Sequence, residues 1–274
     1  MKVTSLVENT SCHTGCGAIH GLSLDIETPK HHILFDMGPN ALFLENAETL
    51  GVDLSTVDVG FLSHGHYDHG GGLELFCKRN EKAKIFISPY AFDSYAARSG
   101  DEYRMIGLEP HVYKKYQNRF ESRTGWLDEE LFIFDDITGK EFLTAASASL
   151  LEQTESGYQS DRFLHEQNLI LSCEGKTVLF AGCAHRGIVN ILKKAEEHIG
   201  GELDYVFSGF HLTNPGLGID EPSELIEAVG AELLKRKKTQ YITGHCTGEG
   251  PYQILKEQMG DRLDTMPSGK IFDF

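Results

Sequence analysis

Three histidines and one aspartate fall within six consecutive residues, directly after an apolar run. In an extended segment, side chains two residues apart point the same way, so His64 and His66 can direct two imidazoles at one ion. Asp68 and His69 follow as the chain turns, where they can reach a second ion. Residues 70–72 are glycines, which permit a tight bend without side-chain clashes. The segment therefore predicts a metal site.

Three later segments share one pattern, in which a short apolar strand ends in glycine and a metal-ligating residue type. The residues at these strand ends are Cys183 with His185, then His211, and finally His245 with Cys246. If the three strands are neighbours in one sheet, their ends meet at one edge, where a rigid scaffold can hold a site. The pattern favours Cys183 and His245 as further ligands, with His185 and His211 less firmly indicated.

Two other groups have metal-like composition. His165 precedes Glu166 and is a further candidate ligand, although a surface histidine fits it equally well. Cys12, His13 and Cys16 lie close together, but no second pair completes a closed tetrahedral set, so a glycine-rich loop is the favoured interpretation.

Composition narrows the classes of partner. The chain has 274 residues with 41 acids against 25 bases, a formal net charge of −16. This balance disfavours nucleic-acid backbones and anionic membranes, although a metal can still create a positive site for an anionic small molecule. The first residues lack a signal-peptide core, and no run approaches about eighteen apolar residues. The six scattered cysteines fit reduced thiols, so we expect a cytoplasmic protein.

Hydrophobic patterning indicates how these residues are positioned. Apolar runs between turn residues predict strands at 3–7, 22–26, 32–35, 59–62, 84–87, 168–173, 177–181, 204–207, 240–243 and 269–274. Helical spacing predicts helices at 72–79, 186–198 and 221–238. The pattern weakens between residues 89 and 157, which predicts an insertion with short helices and a hairpin near 131–143 that lies over a substrate site. We expect a single domain over residues 1–274, with two packed sheets and helices outside.

The metal-binding segment resembles that of the metallo-β-lactamase superfamily. The resemblance rests on His64-x-His66-x-Asp68-His69 after a strand, and on Asp36-x-Gly38 after an earlier strand. It implies an α/β (α+β) fold, a four-layer αββα sandwich with one or two divalent metal ions at the edge of the sheets. In the family pattern one metal takes His64, His66 and a later histidine. The second takes Asp68, His69 and a last histidine, here His245, while Asp36 orients the site.

The chain departs from that pattern at Cys183, where most relatives carry an aspartate that bridges both metals. A thiolate favours zinc or iron over magnesium, so we expect Zn²⁺, with iron or manganese as alternatives. The later histidine of the first metal is not plainly present. His185 is the preferred candidate because it lies two residues past Cys183, and His165 is the alternative.

A subgroup resemblance is carried by the segment 182–188, which contains Cys183 and His185. It is similar to proteins known as dihydropterin ribofuranosylaminobenzene 5′-phosphate synthases. That resemblance implies condensation of a pterin methyl diphosphate with an arylamine, with release of diphosphate.

The leading functional expectation is a metal-dependent hydrolase that acts on a phosphorylated or ester-like small molecule through a metal-bound hydroxide. Asp68 would hold a metal and orient the water, and His211 would bind substrate or donate a proton, with Glu166 a weaker candidate for that role. The pterin transferase is the second expectation. The third is a zinc-stabilised binding or redox-sensing protein, because cysteines lie beside His185 and His245. The natural substrate, the number of metals and the oligomeric state stay open.

Overall fold

The computed structural model describes residues 1–100, 102–214 and 216–274. In these residues the strands are β1 (Lys2–Val7), β2 (Ser23–Glu27), β3 (His32–Phe35), β4 (Val59–Phe61), β5 (Lys84–Phe86), β6 (Tyr95–Ser99), β7 (Glu102–Met105), β8 (Phe120–Glu121), β9 (Gly125–Trp126), β10 (Leu131–Phe134), β11 (Leu150–Thr154), β12 (Gly157–Ser160), β13 (Asn168–Cys173), β14 (Lys176–Phe180), β15 (Tyr205–Phe207), β16 (Thr213–Asn214), β17 (Ile219–Asp220), β18 (Gln240–Thr243), β19 (Leu263–Thr265) and β20 (Ile271–Asp273).

The α-helices of the same residues are α1 (Leu42–Leu50), α2 (Tyr67–Gly70), α3 (Leu73–Arg79), α4 (Pro110–Tyr116), α5 (Ala145–Ala148), α6 (Ile188–Ile199), α7 (Ser223–Leu233) and α8 (Glu249–Met259). No helix among the described residues combines the length and the apolar character needed to cross a membrane.

The chain divides into two compact units. The first unit comprises Met1–Ser94, Ile106–Arg123 and Met266–Phe274, and the second comprises Tyr95–Met105 and Thr124–Thr265. Each unit contains one seven-stranded sheet. The single domain expected over residues 1–274 stays a prediction.

The sheet of the first unit has the order β20-β1-β2-β3-β4-β5-β8. Strands β3, β4, β5 and β8 run parallel, so the residues that follow β3 and β4 emerge side by side at one edge. One face of this sheet packs on α1 and α3, because Leu34 and Ile85 share an apolar core with Phe43 and Phe76. The predicted strand at the C-terminus is present as β20, at the sheet edge beside β1.

The sheet of the second unit has the order β19-β18-β15-β14-β13-β10-β9. Strands β14, β15 and β18 are parallel neighbours, which is the condition on which the sequence interpretation depended. Their carboxyl ends therefore lie at one edge. Helices α6, α7 and α8 cover one face of this sheet, where Ile191, Val229 and Leu255 pack with Leu179 and Val206.

The insertion forms more regular structure than its sequence indicated. Strands β12, β11, β6 and β7 build a separate four-stranded antiparallel sheet, and β10 joins the main sheet beside β13. The predicted hairpin near 131–143 lies elsewhere, because β10 pairs with β9 instead. After β10, the Asn190 side chain binds both the backbone N–H and C=O of Glu141, which replaces a strand partner there.

Helix α7 ends at Leu233, earlier than the predicted boundary at residue 238. The guanidinium of Arg262 donates to the backbone carbonyls of Lys237 and Thr239. These contacts hold the segment after Leu233 in a non-helical path. The helix boundary is therefore set by a residue distant in sequence.

Candidate metal centre

We use the name histidine cluster for Asp36, His64, His66, Asp68 and His69, all of which lie in the first unit and are buried. His64 and His66 lie in the loop after β4, and Asp68 and His69 lie in α2. The His64 ring centroid is 4.6 Å from that of His66 and 4.2 Å from that of His69. The sequence-predicted group in this unit is therefore assembled in space.

Asp36 organises the histidine cluster. Its Oδ1 accepts the backbone N–H of Ser63 at 2.8 Å, and its Oδ2 accepts the Ser63 hydroxyl at 2.8 Å. The same Oδ2 lies 2.6 Å from His69 Nδ1, which donates to it. Asp36 has a left-handed backbone with φ of 57°, a conformation that non-glycine residues rarely adopt and that is often found at functional sites.

These contacts define which ring nitrogens carry protons. The Ser63 hydroxyl has one hydrogen and gives it to Asp36, so its oxygen accepts from His64 Nδ1 at 2.8 Å. His69 Nδ1 likewise donates to Asp36. Both neutral imidazoles then hold a lone pair on Nε2, which is the form that ligates a metal. The Asp36 carboxylate thus leaves Nε2 of both His64 and His69 available to a metal.

The glycine run allows two backbone segments to approach closely. A Cβ on Gly71 would lie 2.3 Å from the Pro39 carbonyl oxygen, and one on Gly72 would lie 2.3 Å from that of Met37. The Met37 amide in turn donates to the His69 carbonyl at 2.7 Å. Side chains at Gly71 and Gly72 would push the two backbone segments apart. This would separate the Asp36 carboxylate from the His69 imidazole.

Asp68 has a further partner that the sequence did not assign. His20 Nε2 lies 3.3 Å from Asp68 Oδ2, and His69 Nε2 lies 3.9 Å from the same oxygen. A Cβ on Gly21 would lie 2.6 Å from the Asp68 carbonyl oxygen, so the His20 segment packs closely here. In the sequence, His20 is visible only as a histidine followed by a glycine, and that pair alone indicates no role.

We use the name cysteine cluster for Cys183, His185, His211 and His245, which lie in the second unit and are buried. Cys183 and His185 follow β14, His211 follows β15 and His245 follows β18. Cys183 Sγ is within 4.8 Å of a ring nitrogen of His185 and also of one of His245. The backbone at His211 and His245 is left-handed, with φ of 48° and 51°. The parallel strand ends therefore bring these residues together.

His185 is held between two rings. Its imidazole stacks on Phe163 with centroids 4.8 Å apart, and its centroid is 4.3 Å from that of His211. The backbone N–H groups of His185 and Arg186 donate to Glu166 at 2.6 and 3.1 Å. Burial raises the pKa of Glu166, against the effect of these amides. Through these two backbone hydrogen bonds, Glu166 stabilises the loop that carries His185.

The structure places His165 differently from His185. His165 Nε2 lies 3.0 Å from Asp161 Oδ2, and its ring centroid lies 4.0 Å from that of Tyr95. His185, by contrast, lies beside Cys183. Within the second unit, the arrangement therefore favours His185 as the partner of the thiol.

The segment around Cys12 forms a loop, as the favoured interpretation predicted. Cys16 Sγ lies 3.6 Å from His13 Nδ1, and Cys12 Sγ donates to the Ser268 carbonyl at 3.7 Å. Burial and the neighbouring Cys12 raise the pKa of the Cys16 thiol, which disfavours a thiolate.

The donor types of the two clusters fit a divalent transition metal. Imidazole nitrogen, thiolate and carboxylate are the ligands that zinc takes in proteins, and iron accepts the same set. The contacts of His64 Nδ1 with Ser63 and of His69 Nδ1 with Asp36 agree with that fit, because they leave Nε2 of both rings available to a metal.

Comparison with known proteins gives one family and several relatives. The family model described as the metallo-beta-lactamase superfamily matches residues 20–238. A relative from Methanocaldococcus jannaschii, named 7,8-dihydropterin-6-methyl-4-(beta-D-ribofuranosyl)-aminobenzene-5′-phosphate synthase, is 29% identical over 274 aligned residues. That similarity covers 93% of this chain and 90% of the relative.

Two solved structures show the same fold. Tm1679, described as a metal-dependent hydrolase of the beta-lactamase superfamily, has a TM-score of 0.82 at 24% identity over 100% of this chain and 99% of its own. Zn²⁺-bound PqqB from Methylobacterium extorquens has a TM-score of 0.60 at 11% identity, with 100% of both chains covered. These similarities confirm the predicted mixed α/β fold class.

Proposed function

Because the chain belongs to the metallo-β-lactamase superfamily, we propose that it is a metal-dependent hydrolase-type enzyme acting on a phosphorylated or ester-like small molecule. The observation that carries this proposal is the Asp36 carboxylate, which fixes His64 and His69 with their Nε2 lone pairs available as ligands. A purely structural histidine pair would not require this arrangement. The family membership and the similarity to a named synthase support an enzyme.

We propose metal ligands in each of the two clusters. The proposed metal ligands are His64, His66, Asp68, His69, Cys183, His185 and His245. The order of His64, His66, Asp68, His69 and His245 along the chain supports the assignment, because it follows the family pattern, from which Cys183 and His185 depart. The position of His185 beside Cys183 supports it over His165.

A bound zinc ion, or iron or manganese in its place, would supply Lewis acidity and would lower the pKa of a water toward neutrality. The protein residues supply the rest of the chemistry. Asp36 holds His69 in one orientation, and His20 holds Asp68. His211 is the candidate for binding a substrate oxygen or donating a proton. Glu166 supports the backbone of His185, so we assign it to positioning.

A second candidate is transfer of a pterin group. The similarity to the named synthase over 93% of this chain favours it. In this reaction the bond from the pterin methylene to diphosphate oxygen breaks, and a bond to the arylamine nitrogen forms. Diphosphate and one proton are released. The exposed Tyr103 and Tyr158 rings, which stack 4.9 Å apart in the insertion, provide aromatic surface of the kind that a flat ring contacts.

We also propose a cytoplasmic location and a small-molecule substrate. The six cysteines form no disulfide among the described residues, which suits a reducing compartment. The net charge of −16 suits neither nucleic acid nor an anionic membrane surface.

The first test compares two triple variants after zinc loading. Phosphodiesters, phosphomonoesters, lactones, thioesters and a dihydropterin methyl diphosphate form the substrate panel. Asp68→Ala/His69→Ala/His245→Ala should lose metal and reduce turnover at least about a hundredfold. A matched surface variant, Asp136→Ala/His198→Ala/His111→Ala, should retain its bound zinc and its turnover. Full turnover by the first variant without metal would refute a metal-dependent enzyme.

The second test separates hydrolysis from transfer. Zinc-loaded protein is incubated with dihydropterin methyl diphosphate, with and without the ribofuranosylaminobenzene phosphate acceptor. Diphosphate release that requires the arylamine identifies the transferase. Turnover of an ester or of the diphosphate by water alone identifies the hydrolase.

A further inference from the structure

A line of hydroxyl groups leads to His211 within the second unit. Thr144 precedes α5, and its Oγ1 accepts the backbone N–H of Ser147 at 3.1 Å. The Thr144 hydroxyl donates to Ser147 Oγ at 3.0 Å, and Ser147 Oγ lies 3.0 Å from His211 Nδ1. All three side chains are buried. The His211 imidazole therefore has a defined partner on Nδ1.

The hydroxyl hydrogen bonds favour one tautomer of His211. Ser147 Oγ already accepts the Thr144 hydroxyl, so its own hydrogen is available for His211 Nδ1. In the arrangement where this hydrogen is directed at the ring, Nδ1 accepts it with a lone pair. A neutral imidazole that accepts on Nδ1 carries its proton on Nε2. His211 therefore presents an N–H donor on its second nitrogen.

The helix that carries Ser147 is fixed to the segment that carries His211. The Ala146 amide donates to Glu221 Oε1 at 2.7 Å, and the Glu221 amide donates to the Leu212 carbonyl at 2.9 Å. Asn214 Nδ2 donates to Ser149 Oγ at 3.1 Å. These bonds link α5 to residues on the C-terminal side of His211. The distance from Ser147 to the imidazole is therefore set by several contacts.

We propose that Thr144 and Ser147 are positioning residues, which hold His211 as the Nε2–H tautomer so that it donates a hydrogen bond to an anionic oxygen of the substrate. The inference rests on the proposed function, since it names the group that binds a phosphate, carboxylate or departing oxygen. A preorganised N–H donor stabilises negative charge that develops on such an oxygen. Ser147 and Thr144 act only through His211.

The tautomer can be measured without a substrate. Protein labelled with ¹⁵N at histidine and loaded with zinc is studied by long-range ¹H–¹⁵N NMR, and the His211 signals are identified by their loss in His211→Gln. We expect Nδ1 of His211 to be unprotonated and hydrogen-bonded, with the proton on Nε2. A protonated Nδ1, whether neutral tautomer or imidazolium, would overturn the proposal even if the protein is an active enzyme.

Variants then test whether the relay matters for turnover. Ser147→Ala should remove the hydrogen-bond shift on Nδ1 and lower kcat about tenfold, with zinc content unchanged and KM little affected. Ser160→Ala removes an exposed hydroxyl at the end of β12 in the same unit and should leave the His211 signals and kcat unchanged. Thr144→Val should reproduce part of the Ser147→Ala effect, and Thr144→Ser should restore it.

The two readouts separate the possible failures. An unchanged Nδ1 signal in Ser147→Ala would refute the relay, whatever the activity. If no substrate is turned over but Nδ1 is unprotonated in the unaltered protein, the tautomer assignment stands and the proposed function fails. Should Ser147→Ala not fold, Thr144→Val against Thr144→Ser supplies the same comparison at the start of the relay.

Discussion

His69 and His211 are both buried histidines whose Nδ1 lies close to a polar side chain, but the two side chains have opposite chemistry. His69 Nδ1 faces a carboxylate of Asp36 at 2.6 Å, which only accepts. His211 Nδ1 faces the hydroxyl of Ser147 at 3.0 Å, which is free to donate because Thr144 supplies its other bond. In our proposal the first histidine therefore offers a lone pair on Nε2, and the second offers an N–H. We propose that the residue at Nδ1 distinguishes a metal ligand from a substrate donor.

The two supports also differ in strength. Asp36 accepts three hydrogen bonds, and bonds to an ionised acceptor are shorter and stronger than those between neutral groups. Ser147 offers a single neutral bond to His211. Loss of the carboxylate should therefore disturb the molecule more than loss of the hydroxyl.

The largest effect is expected for Asp36→Asn. The new amide NH₂ must replace either Oδ1, where it faces the Ser63 backbone N–H, or Oδ2, where it faces the Ser63 hydroxyl and His69 Nδ1, so at least one buried donor loses its acceptor. Zinc affinity should fall about 10- to 100-fold, and the free energy of unfolding should fall by about 1–3 kcal/mol. Competitive zinc titration and urea unfolding measure the two effects.

Asp58→Asn is the matched control for that substitution. Asp58 also accepts from a histidine ring, at 2.7 Å from His31 Nδ1, and from the backbone N–H of His32, but its side chain is half exposed. The zinc affinity of the Asp58→Asn variant should equal that of the unaltered protein. Equal losses in the two variants would show that the histidine cluster has no special role in metal binding.

The Ser147→Ala variant described above should have an effect of intermediate size. It should change turnover while zinc affinity stays the same, whereas Asp36→Asn should change zinc affinity first. A variant of Ser147 that loses zinc would break the distinction between a ligand support and a donor support.

His32 shows the effect of a neighbouring carboxylate on a histidine that lies outside both clusters. His32 Nε2 lies 2.6 Å from Asp25 Oδ1, and its Nδ1 lies 2.8 Å from Thr56 Oγ1. The Thr56 hydroxyl donates to the Asp53 carbonyl, so Nδ1 of His32 must donate to Thr56. Because both nitrogens face acceptors, these bonds favour the imidazolium form of His32. Burial acts to lower its pKa, but the bond to Asp25 and the neighbouring acids raise the pKa above its ordinary value.

The smallest predicted effect follows from that raised pKa. His32 contributes its full stabilisation below its unfolded pKa of about 6.5, and loses it as pH rises through the higher folded pKa. His32→Gln should lower stability by at most about 1 kcal/mol at low pH, with less difference from the unaltered protein at high pH. Urea unfolding across the pH range measures it, with exposed His111→Gln as the control. A difference that grows with pH would contradict the assignment.

Local patterns in the sequence predicted the parts of the site that depend on neighbouring residues. The spacing of His64, His66 and Asp68 depends on one loop, whereas Asp36 was indicated only by the family resemblance. Cys183 and His245 were found because each ends a short strand, and adjacent parallel strands end at one edge. These features need only periodicity and topology.

The supporting residues could not be predicted because they act across long sequence separations. Ser147 reaches His211 from 64 residues away, and Glu166 reaches the backbone of His185 from 19 residues away. Serine, threonine and glutamate are common, so no local spacing distinguishes these positions. For the same reason Arg262, which terminates α7 through backbone carbonyls, left no signal near the helix.

Anomalous diffraction at the zinc edge from crystals of the zinc-loaded protein tests the central claim most directly. The account predicts one or two anomalous peaks, with zinc bound by Nε2 of His64 and His69 at about 2.0–2.1 Å and by Cys183 Sγ at about 2.3 Å. His211 should lie outside the coordination sphere with Nδ1 on Ser147. Zinc bound without Cys183 or without the Nε2 atoms, or zinc ligated by His211, would contradict it.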